Sequence, residues 1–323
     1  MTEDIIEPDL PICDPHHHLW DFPGGRYLLP ELLADLTSGH NIESTVFIEC
    51  GAFYRAGVPE PMSHVGETEF VNGAAAMAAS GRYGPVLACE AIVGRADLTQ
   101  GAAIEPVLEA HVRAGNGRFR GVRHAGAWHA SDEIRNGHTD PPEGLYARPD
   151  FRAGFTKLSR LGLSFEAWQF HTQLPEVIDL ARAFPETLIV LNHVGGPLGI
   201  GPYAGKRDEV FGGWARDIRE LAKCPNVWVK LGGLGMATCG FGFHKREVRP
   251  DSAELAEAWR PYLQTCIEAF GPERGMFESN FPVDGVSCTY PVLWNALKRV
   301  AAGCSADEKA LLFQATARKF YRL

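Results

Sequence analysis

Apolar residues gather along this chain in short unbroken runs, and longer stretches of helical spacing lie between them. The runs fall near 10–18, 44–50, 85–93, 119–124, 163–171, 187–197, 227–231 and 275–280. Most stay apolar until a polar or charged residue closes them, which is the pattern of parallel strands covered on both faces. Helices are expected near 30–40, 67–80, 102–114, 151–161, 176–184, 214–222, 251–271, 290–300 and 305–321. Two of these open on capping boxes, Asp251-Ser-Ala-Glu254 and Ser305 with Glu308, and Gly115 and Gly271-Pro272 mark stops. Eight strands alternating with helices predict an α/β fold, a (β/α)8 TIM barrel forming one domain over residues 1–323. No glycine-rich nucleotide fingerprint follows a strand, which disfavours a doubly wound sheet. Polar loops at 51–66, 125–150 and 232–249 are long enough to shape a pocket.

Composition narrows the class without changing that picture. The 323 residues are 45% hydrophobic and 22% charged, ordinary values for a globular protein, and the formal net charge is −9. An acidic chain makes nucleic acid and anionic membranes poor main partners, although a local basic pocket can still hold an anion. Neither a leader nor an apolar run of spanning length is evident, so a cytoplasmic protein acting on a small-molecule organic acid is expected, with homo-oligomerisation left open. The eight cysteines show no CxxC spacing and sit mainly in apolar segments; buried thiols are expected, not a disulfide framework.

Chemistry gathers where the strands end, the face on which barrel enzymes place their sites. In an extended segment His16 and His18 share one face and His17 takes the other. Two converging imidazoles suit a divalent metal or acid–base work. Other strand ends offer Glu49, Glu90, Arg123, His124, His171, His193, Lys230 and Asn280, with Asp284 just beyond. Any one alone is more simply a satisfied core group, but their joint placement points to a site. Arg123 has two readings, an anchor for a substrate carboxylate or a salt bridge to Glu90 or Glu49.

Five motifs carry a resemblance. Pro15-His16-His17-His18-Leu19-Trp20-Asp21, Ile92 to Leu98, Phe119 to His124, Val190-Leu-Asn-His193-Val-Gly-Gly-Pro197 and Ser279-Asn-Phe-Pro282 resemble the amidohydrolase superfamily, within it the amidohydrolase-related branch of small-acid lactonases and decarboxylases. The resemblance implies a hydrolase in which water attacks the carbonyl of a lactone or related ester or amide. A metal-dependent non-oxidative decarboxylase and a non-catalytic binding barrel are the alternatives. It implies His16, His18, His171, His193, Asn280 and Asp284 as catalytic residues and Arg123, His124, Glu49 and Lys230 as substrate contacts. His16, His18 and His171 become candidate ligands of one divalent ion, zinc foremost, though the branch also works without metal. Position 280 departs from the branch, which carries aspartate there. An amide cannot accept a proton at neutral pH, so Asp284, Glu49, Glu90 or Glu278 would have to supply the missing carboxylate.

Overall fold

A computed structural model describes residues 3–323. Eight strands run parallel in sequential order: β1 Ile12–His17, β2 Ile42–Ile48, β3 Leu87–Arg95, β4 Phe119–Arg123, β5 Ser164–Ala167, β6 Ile189–Leu191, β7 Val227–Leu231 and β8 Gly275–Phe277. Helices α1 Leu29–Leu36, α2 Val65–Ala79, α3 Glu105–Ala114, α4 Pro149–Arg160, α5 Leu174–Ala183, α6 Arg207–Leu221, α7 Ser252–Phe270 and α8 Tyr290–Val300 alternate with them. The expected (β/α)8 barrel is therefore present. Inside its lower half, Cys13, Val46, Ile48, Ala91, Val93, Val190 and Met276 pack against Phe320 and Tyr321, which a C-terminal helix, Thr316–Tyr321, inserts as a plug. This apolar floor leaves the upper half for polar side chains. Among the described residues no helix is long and apolar enough to cross a membrane, and all eight cysteines are free.

Three strand limits differ from expectation in ways that matter. β3 runs on to Arg95, so Glu90 sits mid-strand, and its carboxylate faces Arg318 at 3.8 Å. β5 stops at Ala167, which moves His171 off the strand end into a 3-10 turn, His171–Gln173. β6 is only Ile189–Leu191, because His193 and Val194 turn into left-handed backbone at φ 54° and 46°.

β1 and β8 close the barrel past their ends. The Asn280 amide donates to the His16 carbonyl and the His18 amide to the Phe281 carbonyl, both at 2.9 Å. Beneath these bonds the buried Asp14 carboxylate accepts from the Ser279 amide at 3.0 Å, the Ser279 hydroxyl at 2.5 Å and the Tyr290 hydroxyl at 3.0 Å. Burial pushes the Asp14 carboxyl up to about 6 despite those donors. The folded chain thus holds this proton more tightly than the unfolded chain. Its contribution to stability is full below about pH 4 and is lost as pH rises to about 6, a change of about 3 kcal/mol. Ser279→Ala, which removes a donor to the ionised form, is expected to lower unfolding free energy by about 1.5–3 kcal/mol at pH 7. Urea unfolding should show a smaller loss at pH 4; an equal loss at both values would mean that Asp14 does not ionise in the seam.

Candidate active site

Strand alternation along β1 sets the first three imidazoles. His16 points into the barrel, His17 turns outward to bond Thr45 Oγ1 at 2.7 Å, and His18 returns to the inner face, its Nδ1 2.8 Å from the Ile48 carbonyl and its ring stacked on Trp20. Glu278, the residue after β8, joins two histidines. Its Oε1 accepts from His193 Nδ1 at 2.7 Å, and its Oε2 lies 2.9 Å from His16 Nδ1. The His16 and His193 rings are 4.4 Å apart. Lys230 Nζ, paired with Glu166 Oε2 at 2.8 Å, reaches within 3.3 Å of His16 Nδ1. Glu166 also accepts from Tyr321 and Asn192, so a polar chain leads from the apolar plug to His193.

All of these groups are buried, and burial dominates their titration. It drives His16, His18 and His193 well below the usual histidine value, helped for His193 by the cations of Arg123 and Lys230. Burial also pushes Glu278 up to about 8 and lowers Lys230. At neutral pH the three imidazoles are uncharged, each with one nitrogen able to accept a proton or a metal.

Arg123 fills one of its expected roles. Its Nε donates to Glu49 Oε1 at 2.6 Å and its Nη2 to the Glu49 carbonyl, while Nη1 remains 3.4 Å from His16 Nε2. Glu49 also pairs with His138 Nε2 at 2.9 Å, which ties the 125–150 loop to β2. Burial would raise Glu49, but His138 and Arg123 hold it well below the ordinary carboxylate range. Asn280 stands in left-handed backbone at φ 53°, and its Nδ2 donates to Asp284 Oδ1 at 2.8 Å.

A cavity of about 450 Å3 opens above this cluster, lined by His18, Arg123, His193 and Asn280 with Trp20, Trp168 and Phe170 as aromatic walls. His16, Lys230 and Glu278 lie below it, Glu49 behind Arg123 and Asp284 behind Asn280. Three expected residues are elsewhere. His124 follows Arg123 and so faces the helices, taking the Leu98 amide on Nδ1 at 3.2 Å. Glu90 lies mid-strand, as described. His171 sits in a separate groove against Tyr203, with its Nδ1 accepting from the Leu198 amide. Trp168 occupies the β5 end in its place and packs edge-on against His193 at 4.9 Å.

Trp168 and the pairing of Glu278 were not anticipated, whereas His138 and Arg135 reach the cavity from the 125–150 loop that was expected to shape it. One sequence signal was available in Gly232-Gly233-Leu234-Gly235, just after β7. A Cβ on Gly233 would fall 2.4 Å from the His193 side chain, and one on Gly235 would fall 2.8 Å from the Asp284 carboxylate. Close approach of backbone to site residues therefore demands glycine at both positions.

The His16, His18 and His171 set expected for a metal does not come together. His16, His193 and Glu278 do, with one ligand atom from each within 4.8 Å of the others. Two imidazoles and a carboxylate are a donor set divalent metals accept, and the buried Glu278 Oε2, although 2.9 Å from His16 Nδ1, makes no aligned hydrogen bond. The residues present therefore fit such an ion, although Lys230 and Arg123 place positive charge beside His16.

A family model described as amidohydrolase matches residues 13–323. The chain belongs to the amidohydrolase family. This amidohydrolase is 32% identical to the uncharacterized protein y4mH of Sinorhizobium fredii, over 98% of this chain and 99% of the relative. It is 29% identical to an L-fucono-1,5-lactonase of Burkholderia multivorans, over 54% of this chain and 56% of the lactonase. A solved amidohydrolase of Burkholderia multivorans with bound zinc superposes with a TM-score of 0.73 at 25% identity, covering 97% of this chain and 99% of the other.

The rearranged ligand set makes a prediction that needs no substrate. Zinc affinity of the stripped protein, measured by calorimetry, is expected to fall at least tenfold in His193→Ala and Glu278→Gln and to stay unchanged in His171→Ala. A fall confined to His171→Ala would restore the set expected from sequence.

Proposed function

We propose that this amidohydrolase hydrolyses the lactone of a small organic acid. The observation that carries this is the 2.7 Å bond between His193 Nδ1 and Glu278, on a histidine that lines the cavity. Burial delays the ionisation of Glu278 to about pH 8, and once ionised it takes Nδ1–H, which leaves Nε2 as the basic atom presented to a ligand. Water attacking the lactone carbonyl gives its proton to that atom, and Glu278 stabilises the resulting imidazolium. Negative charge forming on the carbonyl oxygen meets Arg123 Nη1, the guanidinium nitrogen that Glu49 does not hold. Collapse of the tetrahedral intermediate breaks the ring C–O bond, and His193 returns the proton to the leaving alkoxide. The product is an open hydroxy acid.

Support also comes from the lactonase relative and from the walls of Trp20, Trp168 and Phe170, which give a flat ring an apolar face to rest on. Zinc is the ion we assign to His16, His193 and Glu278; held there it would polarise a carbonyl and acidify water. His193 and Arg123 serve as base and anion site in the metal-free protein; an ion held by His193 and Glu278 would occupy that base and would itself activate the water.

Purified protein is expected to acidify solutions of 1,4- and 1,5-aldonolactones, L-fucono-1,5-lactone among them, faster than their spontaneous opening in a pH-stat. His193→Asn and Glu278→Gln should each lower kcat/KM by about 10²–10⁴. A panel giving no enzymatic hydrolysis would sink the proposal.

Chelation tests the role of the ion separately. Protein stripped of metal, with its zinc content checked by mass spectrometry, is expected to keep activity within about tenfold of the zinc-loaded form. Complete loss, restored by zinc, would show that the ion and not His193 activates the water.

A further inference from the structure

The strand-eight position carries an amide, and the structure fixes which way that amide faces. Asn280 is 1% exposed and lines the cavity. Its Nδ2 donates to Asp284 Oδ1 at 2.8 Å, while Asp284 Oδ2 accepts the Gly235 amide, also at 2.8 Å. Both oxygens of Asp284 are thus engaged by N–H donors, and Gly235 has no room for a side chain against the carboxylate. The other end of the Asn280 amide, Oδ1, is buried with no hydrogen-bond partner. A buried carbonyl left without a donor is unfavourable, so its place at a cavity wall calls for a ligand that donates.

We infer that Asn280 Oδ1 is the acceptor that orients the attacking water, and that Asp284 is a positioning residue which holds the amide in that orientation. This rests on the hydrolytic role proposed above for His193. The handling of the water is divided here between two residues. His193 takes the proton, and Asn280 takes a hydrogen bond from the water's other O–H. Asp284 touches neither; it acts by leaving Nδ2 no other place to point.

The hydrogen-bond polarity makes the test specific. In Asp284→Asn, the new side chain must keep its oxygen on the Gly235 amide, so its NH2 confronts the Asn280 NH2. Asn280 then flips, and a donor replaces the acceptor in the cavity. The double variant Asn280→Asp with Asp284→Asn restores the pattern in reverse, with the amide at 284 donating to the carboxylate at 280 and one oxygen of that carboxylate again facing the cavity.

Exchange of the Asn280 side-chain amide protons, followed by 15N NMR on selectively labelled full-length protein, reads the orientation with no substrate present. A slowly exchanging proton is expected in the wild type and fast exchange in Asp284→Asn. Burial raises the Asp284 carboxyl to about 8 against the pull of its two N–H donors, so the measurement is decisive: fast exchange in the wild type would overturn the inference, because an Asp284 carrying its own proton would donate to Oδ1 and turn the NH2 to the cavity. Kinetics on the lactone that the wild type opens fastest read the role. Asp284→Asn should lower kcat about 10²-fold with KM within threefold, and the double variant should recover at least tenfold of that loss. An unchanged kcat in Asp284→Asn, or a double variant no better than the single one at matched folding by circular dichroism, would overturn it. Failure of the whole lactone panel with the slow proton present would instead remove the hydrolytic role and leave the oriented acceptor in place.

Discussion

Closure of the barrel between β1 and β8 is the constraint on which the site depends. Strand ladders position seven of the eight neighbours, but this seam is made mostly beyond the strands, by the backbone bonds of His16, His18, Asn280 and Phe281 and by one buried carboxylate. Asp14 is the group that makes the seam specific. It holds Ser279 by both amide and hydroxyl, so Glu278 and Asn280 on either side are placed to within a rotamer. Moving β8 along β1 would separate Glu278 from His16 and Asn280 from the cavity together. Stability and site geometry therefore share a single set of hydrogen bonds.

Above the apolar plug the interior holds Glu166, Lys230, His16, Glu278 and His193 at 3% exposure or less. Isolated charges at that depth are unfavourable by several kcal/mol each, and they persist only when paired and hydrogen-bonded. The structure satisfies this in sequence: Tyr321 and Asn192 on Glu166, Glu166 on Lys230, Lys230 beside His16, and Glu278 between the two histidines. Removing one member strands its neighbour, so this chain is rigid, and rigidity is what a base aimed at one atom requires. Glu278, which the run 275–280 presented only as one acid among several, is the residue that makes His16 and His193 a unit.

The eight-fold alternation and the inward pair His16 and His18 were legible because they rest on periodicity alone. What escaped depends on where a strand stops. The segment 163–171 keeps alternating apolar residues as far as Phe170, yet the chain leaves the sheet after Ala167; periodicity cannot see that departure, and His171 was carried with it. The period of two from Glu166 does reach Trp168, which is the residue found beside His193. Arg123 illustrates a different limit: the salt bridge to Glu49 and an anchor for a substrate carboxylate were posed as rivals, yet the pairing with Glu49 leaves Nη1 free on a residue that lines the cavity. His124 fell on the wrong face by the same alternation that correctly placed His17.

Left-handed backbone at His193, Val194 and Asn280 ties these strands of the argument together. Such conformations cost of order 1–3 kcal/mol for residues bearing a Cβ, most for a branched one such as valine, and they survive where surrounding contacts over-determine them. Here the contacts are identifiable: the His193 amide and ring both bond Glu278, the Trp214 indole bonds the Val194 carbonyl, and Asn280 is held by its amide on His16 and its side chain on Asp284. The two strained turns carry two of the side chains that line the cavity, His193 and Asn280. Asparagine tolerates this region of backbone better than most residues, so position 280 satisfies a conformational demand and a hydrogen-bonding one at once. An amide at position 280 is thus compatible with the proposed hydrolysis, in which the proton goes to the Glu278–His193 pair held by the same seam.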